Sequence, residues 1–298
     1  MSDTLPALVA AELAIPVDPR VTAMAAAVAA QHPRAARAVL FYGSCLREEN
    51  LDGLMLDFYL IVSDYAAAYD KGWLARANAA IPPNVFPFEH DGLAAKYAVL
   101  SEADFHRLCG PEADNVSVWA RFAQPTRLVW AADERARDAA VAAIAQAAPT
   151  LLALAQPVAA DGADALDIWR AGFAQTYGAE LRAERSNRSG SIVDSDPARY
   201  ARIGEAVLRE QGARSAITDA QRSATLRRWR SLQRRGKWLS VARLAKASFT
   251  FAGGIDYLAW KINRHAGTQI AVKPWQRRHP FIAAFTLLPR LLRSGAVR

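Results

Sequence analysis

Cysteine is scarce in this 298-residue chain: only Cys45 and Cys109 occur, and their spacing suits no metal. That excludes a disulfide framework and a zinc knuckle, and it fits a reducing compartment. No stretch reaches the roughly 18 uninterrupted apolar residues of a membrane-spanning helix. The five histidines, His32, His90, His106, His265 and His279, form no ligand pair at useful spacing. The first residues, MSDTLPALVAAELAIPVDP, carry an acid before any base and prolines within their apolar part, which argues against a secretory signal. An intracellular protein is expected. Internal repeats and long low-complexity tracts are also missing.

Acid is the next shortage, and it is local. Between Gln221 and Arg298, 17 lysines and arginines face a single acid, Asp256. Residues 1–150 carry a net charge of −6 and residues 151–298 one of +14, within a total of +8. Such asymmetry implies attraction to a polyanion, either nucleic acid or an anionic lipid surface. Aromatics interleave with these bases at Trp229, Trp238, Phe249, Phe251, Tyr257, Trp260 and Trp275. The chain ends in HPFIAAFTLLPRLLRSGAVR, where the mostly apolar Phe281 to Leu288 is followed by Arg290 and Arg293. A short apolar helix with basic flanks suits the headgroup boundary of a bilayer. Trp229 and Trp238, at helical positions, are instead expected to pack a core.

With 52% hydrophobic residues, what is present is a folded chain of about two domains. Its most informative stretch is AVLFYGSCLREENLDGLMLDFYLIV, Ala38 to Val62. Ala38 to Tyr42 and Leu56 to Val62 read as strands bracketing a turn. Gly43 lets the backbone approach a ligand closely, and the Ser44 hydroxyl can donate to phosphate oxygens. Asp57 is the only acid in its apolar run, and Tyr59 shares its face. A carboxylate there costs free energy unless it is paired or binds a cation. Mg²⁺ held by one or two carboxylates plus substrate phosphates makes Asp57 the first candidate metal ligand. Asp52, Asp64, Glu89 and Asp91 are the other acids at hand, of which Glu89 is preferred as a second ligand.

Hydrophobic-Gly-Ser followed by an aspartate on the next strand resembles the nucleotidyltransferase superfamily, although Tyr59 stands where that pattern has a second acid. Downstream, Asn84-Val85-Phe86, Lys96-Tyr97-Ala98-Val99, Arg121 with Gln124-Pro125, and Ser248, Ala252, Gly253, Tyr257 and Lys261 follow in order. Together with Gly43-Ser44 and Asp57-Phe58-Tyr59 they resemble the mitochondrial-type phosphatidate cytidylyltransferases, peripheral CDP-diacylglycerol synthases in which the second acid is also missing. The resemblance implies transfer of CMP from CTP to phosphatidate with Mg²⁺ as cofactor. It implies Asp57 and Lys96 as catalytic, Gly43, Ser44, Tyr59 and Arg121 as nucleotide-binding, Asp57 as a metal ligand, and Tyr177 and Arg182 as ligands of the lipid phosphate. The partners implied are CTP, phosphatidate and an anionic membrane surface, with nucleic acid disfavoured. The location implied is the cytoplasmic face of an inner membrane, or the matrix face in a mitochondrion. Two alternatives stay open: a nucleotidyltransferase acting on RNA or a small molecule, and a catalytically silent protein that binds anionic membrane.

The fold class expected is α+β, a nucleotidyltransferase-like mixed sheet with helices followed by a mostly helical domain and a basic amphipathic tail. The expected divisions are residues 1–150, 151–245 and 246–298. Helices are expected over Ala7 to Gln31 (one or two), Ala66 to Ala80, a Ser101-capped segment, Asp133 to Ala147, and Leu166 to Arg185. Further strands are expected at Val85 to Phe88 and Lys96 to Leu100.

Overall fold

The β-forming run ahead of Gly43 becomes β1 (Ala36–Tyr42), and the apolar run after the turn becomes β2 (Met55–Val62). They pair antiparallel, with Tyr42 opposite Asp57. β4 (Leu93–Ser101) lies parallel along the other side of β2 and sets Lys96 beside Asp57. β3 (Asn84–His90) and β5 (Thr126–Ala131) form the edges, giving the order β3-β4-β2-β1-β5. This computed structural model describes residues 4–48, 50–179, 192–212 and 217–250, without the side chains at 244, 245 and 247–250.

A parallel pair needs a crossover, and the β2–β4 connection runs through α3 (Tyr65–Ala68), α4 (Gly72–Ala80) and β3. The single helix expected from Ala66 to Ala80 is thus two. Tyr69 between them is extended, and its ring is buried against His32 and Phe86. Packing there overrides the helical propensity of the alanines. β5 was not among the expected strands.

Side-chain alternation gives the sheet two apolar faces. Val39, Phe41, Phe58, Leu60 and Val99 face a cluster that includes α2 (Pro19–Ala30), α3 and α4, while Leu40, Tyr42, Tyr59, Ile61 and Leu100 face the cluster that holds α1 (Leu5–Leu13) and the later helices. α1 and α2 are separate helices within the expected Ala7 to Gln31 span. α5 (Glu102–Cys109) starts as its sequence requires: the Ser101 hydroxyl accepts from the Asp104 N–H at 3.2 Å, with Glu102 and Asp104 in the first turn. α6 (Trp119–Phe122) follows, and α7 (Glu134–Ala145) is capped by Asp133, whose carboxylate accepts the Ala136 N–H at 2.7 Å.

The division expected at Thr150 falls inside α8 (Ala147–Ala155), and one core passes through it. Tyr42 and Tyr59 from the sheet, Leu151 from α8, Trp169 from α9 (Ala165–Tyr177), Tyr200 from α10 (Pro197–Glu210) and Trp229 from α11 (Asp219–Thr250) belong to the same cluster. α9 ends at Tyr177, whereas a helix to Arg185 was expected; residues 180–191 lie outside the described residues. The run Glu134–Val158 is long and apolar enough to cross a membrane, but half of its most apolar window is buried within the protein. Among the described residues the chain is α+β, a five-stranded mixed sheet with about eleven helices.

α11 is fastened along its inner side. The Trp229 indole donates to the Leu154 carbonyl at 2.8 Å and meets Trp119 edge-on. Gly236 passes so close to the Ala179 carbonyl oxygen that a Cβ would stand 2.2 Å from it, which only glycine permits. Further along, Arg243 donates to the Pro82 carbonyl at 2.8 Å and to the Ser117 hydroxyl at 3.0 Å. Lys246 donates to the Ile81 carbonyl and, at 2.8 Å, to that of Pro83.

Burial, with the Arg243 charge beside it, pushes the Lys246 ammonium from its ordinary 10.5 down to about 7. A lysine with a depressed folded-state pKa binds fewer protons folded than unfolded between those values. Its penalty is therefore full below pH 7 and is relieved as pH rises toward 10.5. Compared with Lys246→Met, the native chain is expected to gain urea resistance between pH 7 and about pH 10. Parallel profiles of the two proteins would show that the ammonium keeps its ordinary pKa in the fold.

Candidate functional site

β1 ends where the chain must turn without a side chain. Gly43 has φ +96° and ψ −166°, a region essentially restricted to glycine. A Cβ at Gly43 would stand 3.4 Å from Asp57 Oδ2, so the bare backbone packs directly on the carboxylate. Ser44 then opens a short 3-10 turn that ends at Arg47.

Asp57 is about three-quarters buried, and Lys96 Nζ approaches its Oδ1 at 2.9 Å. The contact is an ion pair without the approach angle of a hydrogen bond. Asp57 also reaches its neighbours electrostatically. Burial pushes the Cys45 thiol up, and the Asp57 charge adds to the rise. Burial raises the Tyr42 phenol well above its ordinary value, opposed by Arg121, whose guanidinium lies 4.9 Å above the Tyr42 ring.

Beside this turn lies a cavity of about 520 Å³. Gly43, Ser44 and Arg47 line it from the turn, Arg121, Gln124 and Pro125 from the segment around α6, and Arg127 from β5. Phe173, Thr176 and Tyr177 of α9 close another side, with Ser195 and Asp196 ahead of α10. Three arginines against one aspartate make the lining cationic. Arg127 is half-buried and donates to the Thr126 carbonyl at 2.9 Å, and among the described residues it has no ion-pair partner. Burial pushes its guanidinium pKa down, and the Glu12 and Asp196 carboxylates act against that fall.

Of the residues singled out in the sequence, Gly43, Ser44, Arg121 and Tyr177 line this cavity together. Asp57 and Lys96 adjoin it through Gly43 without lining it. Tyr59 is buried between the Tyr42 and Phe122 rings, at 5.3 and 5.1 Å, so its surroundings are those of a packing residue. Glu89 lies on edge strand β3, two strands away from Asp57, which at ordinary strand spacing is about 10 Å. Arg182 lies outside the described residues, as do Tyr257, Lys261 and the tail from Phe281. Arg47 and Arg127 escaped the sequence reading: nothing distinguishes Arg47 from a surface cation, and Arg127 required recognition of β5.

Among the described residues no group of three or more His, Cys, Asp or Glu is arranged to hold a metal ion. Among the described residues Asp57 is the carboxylate packed on Gly43. With Oδ2 turned to Gly43 and Oδ1 lacking a well-angled donor, it fits a single magnesium ion that completes its shell with water and phosphate oxygens. Among the described residues no second carboxylate stands beside Asp57 to share a second ion. No protein-family model matches this chain, and no curated protein matches it.

Proposed function

We propose that the chain is a nucleotidyltransferase that moves CMP from CTP to phosphatidate at a membrane surface, giving CDP-diacylglycerol and pyrophosphate. The observation that carries the reading is the glycine-serine turn backing Asp57 and opening into a cavity lined by Arg47, Arg121 and Arg127. The sheet, with its aspartate on the strand after the turn, supports a nucleotidyltransferase-like fold. The choice of CTP and phosphatidate comes from the ordered motifs that resemble the phosphatidate cytidylyltransferases.

In this reading Gly43 admits the triphosphate to the backbone and Ser44 donates to it, while Arg121 and Arg127 hold phosphate oxygens. A phosphatidate oxygen attacks the α-phosphorus in line. The new P–O bond forms as the bond to the β-phosphate bridging oxygen breaks, and pyrophosphate leaves with that electron pair. Phosphatidate is already anionic at neutral pH, so no strong general base is needed. Asp57 would hold the magnesium ion, which supplies neutralisation of phosphate charge when bound, and Lys96 fixes the carboxylate from the other side. Catalysis is then mostly positioning and charge neutralisation. About 520 Å³ suits nucleotide and headgroup phosphates, so the acyl chains stay in the bilayer.

The test supplies labelled CTP, Mg²⁺ and phosphatidate-containing vesicles to the full chain, with ATP and GTP in parallel. Chloroform-soluble label from CTP, with one pyrophosphate released per product, is expected. A folded protein that yields no lipid product from any nucleotide would overturn the reading.

A further inference from the structure

Trp229 and Trp238 were both expected in a core, and the structure separates them. Trp229 is 1% exposed, whereas Trp238 is 76% exposed. Nine residues of helix turn Trp238 about 180° away from Trp229. Arg227, Arg230, Arg234 and Lys237 share its outward side with the partly exposed Leu226, within an arc of about 120°. All four cations are solvent-exposed, and among the described residues none has an ion-pair partner. Asp219, in the first turn, is the only acid in the 32-residue helix.

We propose that this face of α11 is a docking surface for an anionic lipid bilayer. Its four cations meet lipid phosphates and Trp238 sits at headgroup level. The charge of the face suits an anionic partner, and Trp238, the one large aromatic on it among the described side chains, favours a bilayer. An indole is amphipathic and settles at the membrane–water boundary. Single-strand nucleic-acid binders present several aromatics, on which successive bases stack. The inner side of the same helix is tied to the cavity wall: Gln233 donates to the Gln175 carbonyl at 3.2 Å, and Arg243 to the Ser117 hydroxyl. A docked α11 therefore holds the arginine-lined cavity within about one helix diameter of the headgroups. This goes beyond the transferase reading, which needs a lipid headgroup but names no surface to meet it. The docking stands whether or not the chemistry does.

The test is co-sedimentation of the full chain with vesicles of phosphatidylcholine, with and without phosphatidylglycerol. The variants are Arg230→Ser combined with Arg234→Ser, and Trp238→Ser. These side chains are exposed, so circular-dichroism melts should match the native chain. Each lost cation is expected to weaken partitioning onto anionic vesicles about five-fold, hence about twenty-five-fold for the pair. Trp238→Ser is expected to weaken it several-fold, and rising salt should shrink the effect of the arginines but not of the tryptophan. Native partitioning by both variants would overturn the proposal. So would native partitioning accompanied by lost binding to a single-stranded RNA oligonucleotide, which would give the face to nucleic acid.

Discussion

Asp57→Ala is expected to lower CTP incorporation into lipid about a thousandfold while the protein melts within a few degrees of the native chain. The activity figure is that of removing one preorganised charge from a phosphoryl-transfer site, where electrostatic stabilisation is the largest contribution. The stability figure follows from exposure. The Asp57 and Lys96 side chains keep 23% and 30% of their surface in solvent, and a pair that open contributes at most about 1 kcal/mol. Lys96 left alone can hydrate. Asp57→Asn separates charge from shape: it retains the packing on Gly43 but not the negative charge. Both variants should lose kcat with KM for CTP changed far less, because the arginines of the cavity still hold the nucleotide. Native-like turnover by folded Asp57→Ala would remove Asp57 from the chemistry and leave its pairing with Lys96 as its whole role.

Much of this site could be read along the chain because it is local. The strand, turn and strand around Gly43 are written in consecutive residues, and Asp57 stands out as one acid in an apolar run. The neighbours that make the turn a site are not local. Lys96 reaches Asp57 only because β4 lies parallel to β2, a pairing made after two helices and an edge strand intervene. Arg127 joins the cavity from β5, a six-residue strand with no alternation strong enough to announce itself. Glu89, the acid preferred as a second ligand, stands two strands from Asp57, a separation set by strand order and not by position along the chain. The division expected at Thr150 follows a proline, yet Pro149 occupies the first turn of α8, where a missing N–H leaves no helical bond unmade. The two tryptophans of α11 look alike in sequence, and only the contact with Trp119 and Leu154 decides which one is buried.

Glu12→Ala is expected to cost about 3–5 kcal/mol of stability, the largest loss from any single charge removal considered. Glu12 lies near the end of α1 and receives Arg199 of α10 through two contacts, Nη2 to Oε1 at 3.0 Å and Nε to Oε2. The side chains are only 7% and 12% exposed, for Arg199 and Glu12 respectively. Arg199 also donates to the Ala123 carbonyl at 3.1 Å and lies 4.8 Å above the Tyr200 ring. Truncating Glu12 leaves that guanidinium dry with its ion-pair partner gone, which is costlier than the pair was favourable. Removing both charges with Glu12→Leu and Arg199→Met should therefore recover most of the loss, since an apolar replacement of a buried pair is often neutral or stabilising. Urea denaturation of the single and double variants measures this, and a single variant within 1 kcal/mol of the native chain would show that water reaches the pair. The same carboxylate accepts the Thr126 N–H at 3.4 Å, and Arg199 holds the carbonyl of Ala123, so the pair pins both ends of the segment carrying Gln124 and Pro125 into the cavity. The double variant should then fold yet bind nucleotide more weakly than the native chain, because that wall loses its two polar fastenings while the core beneath it is kept.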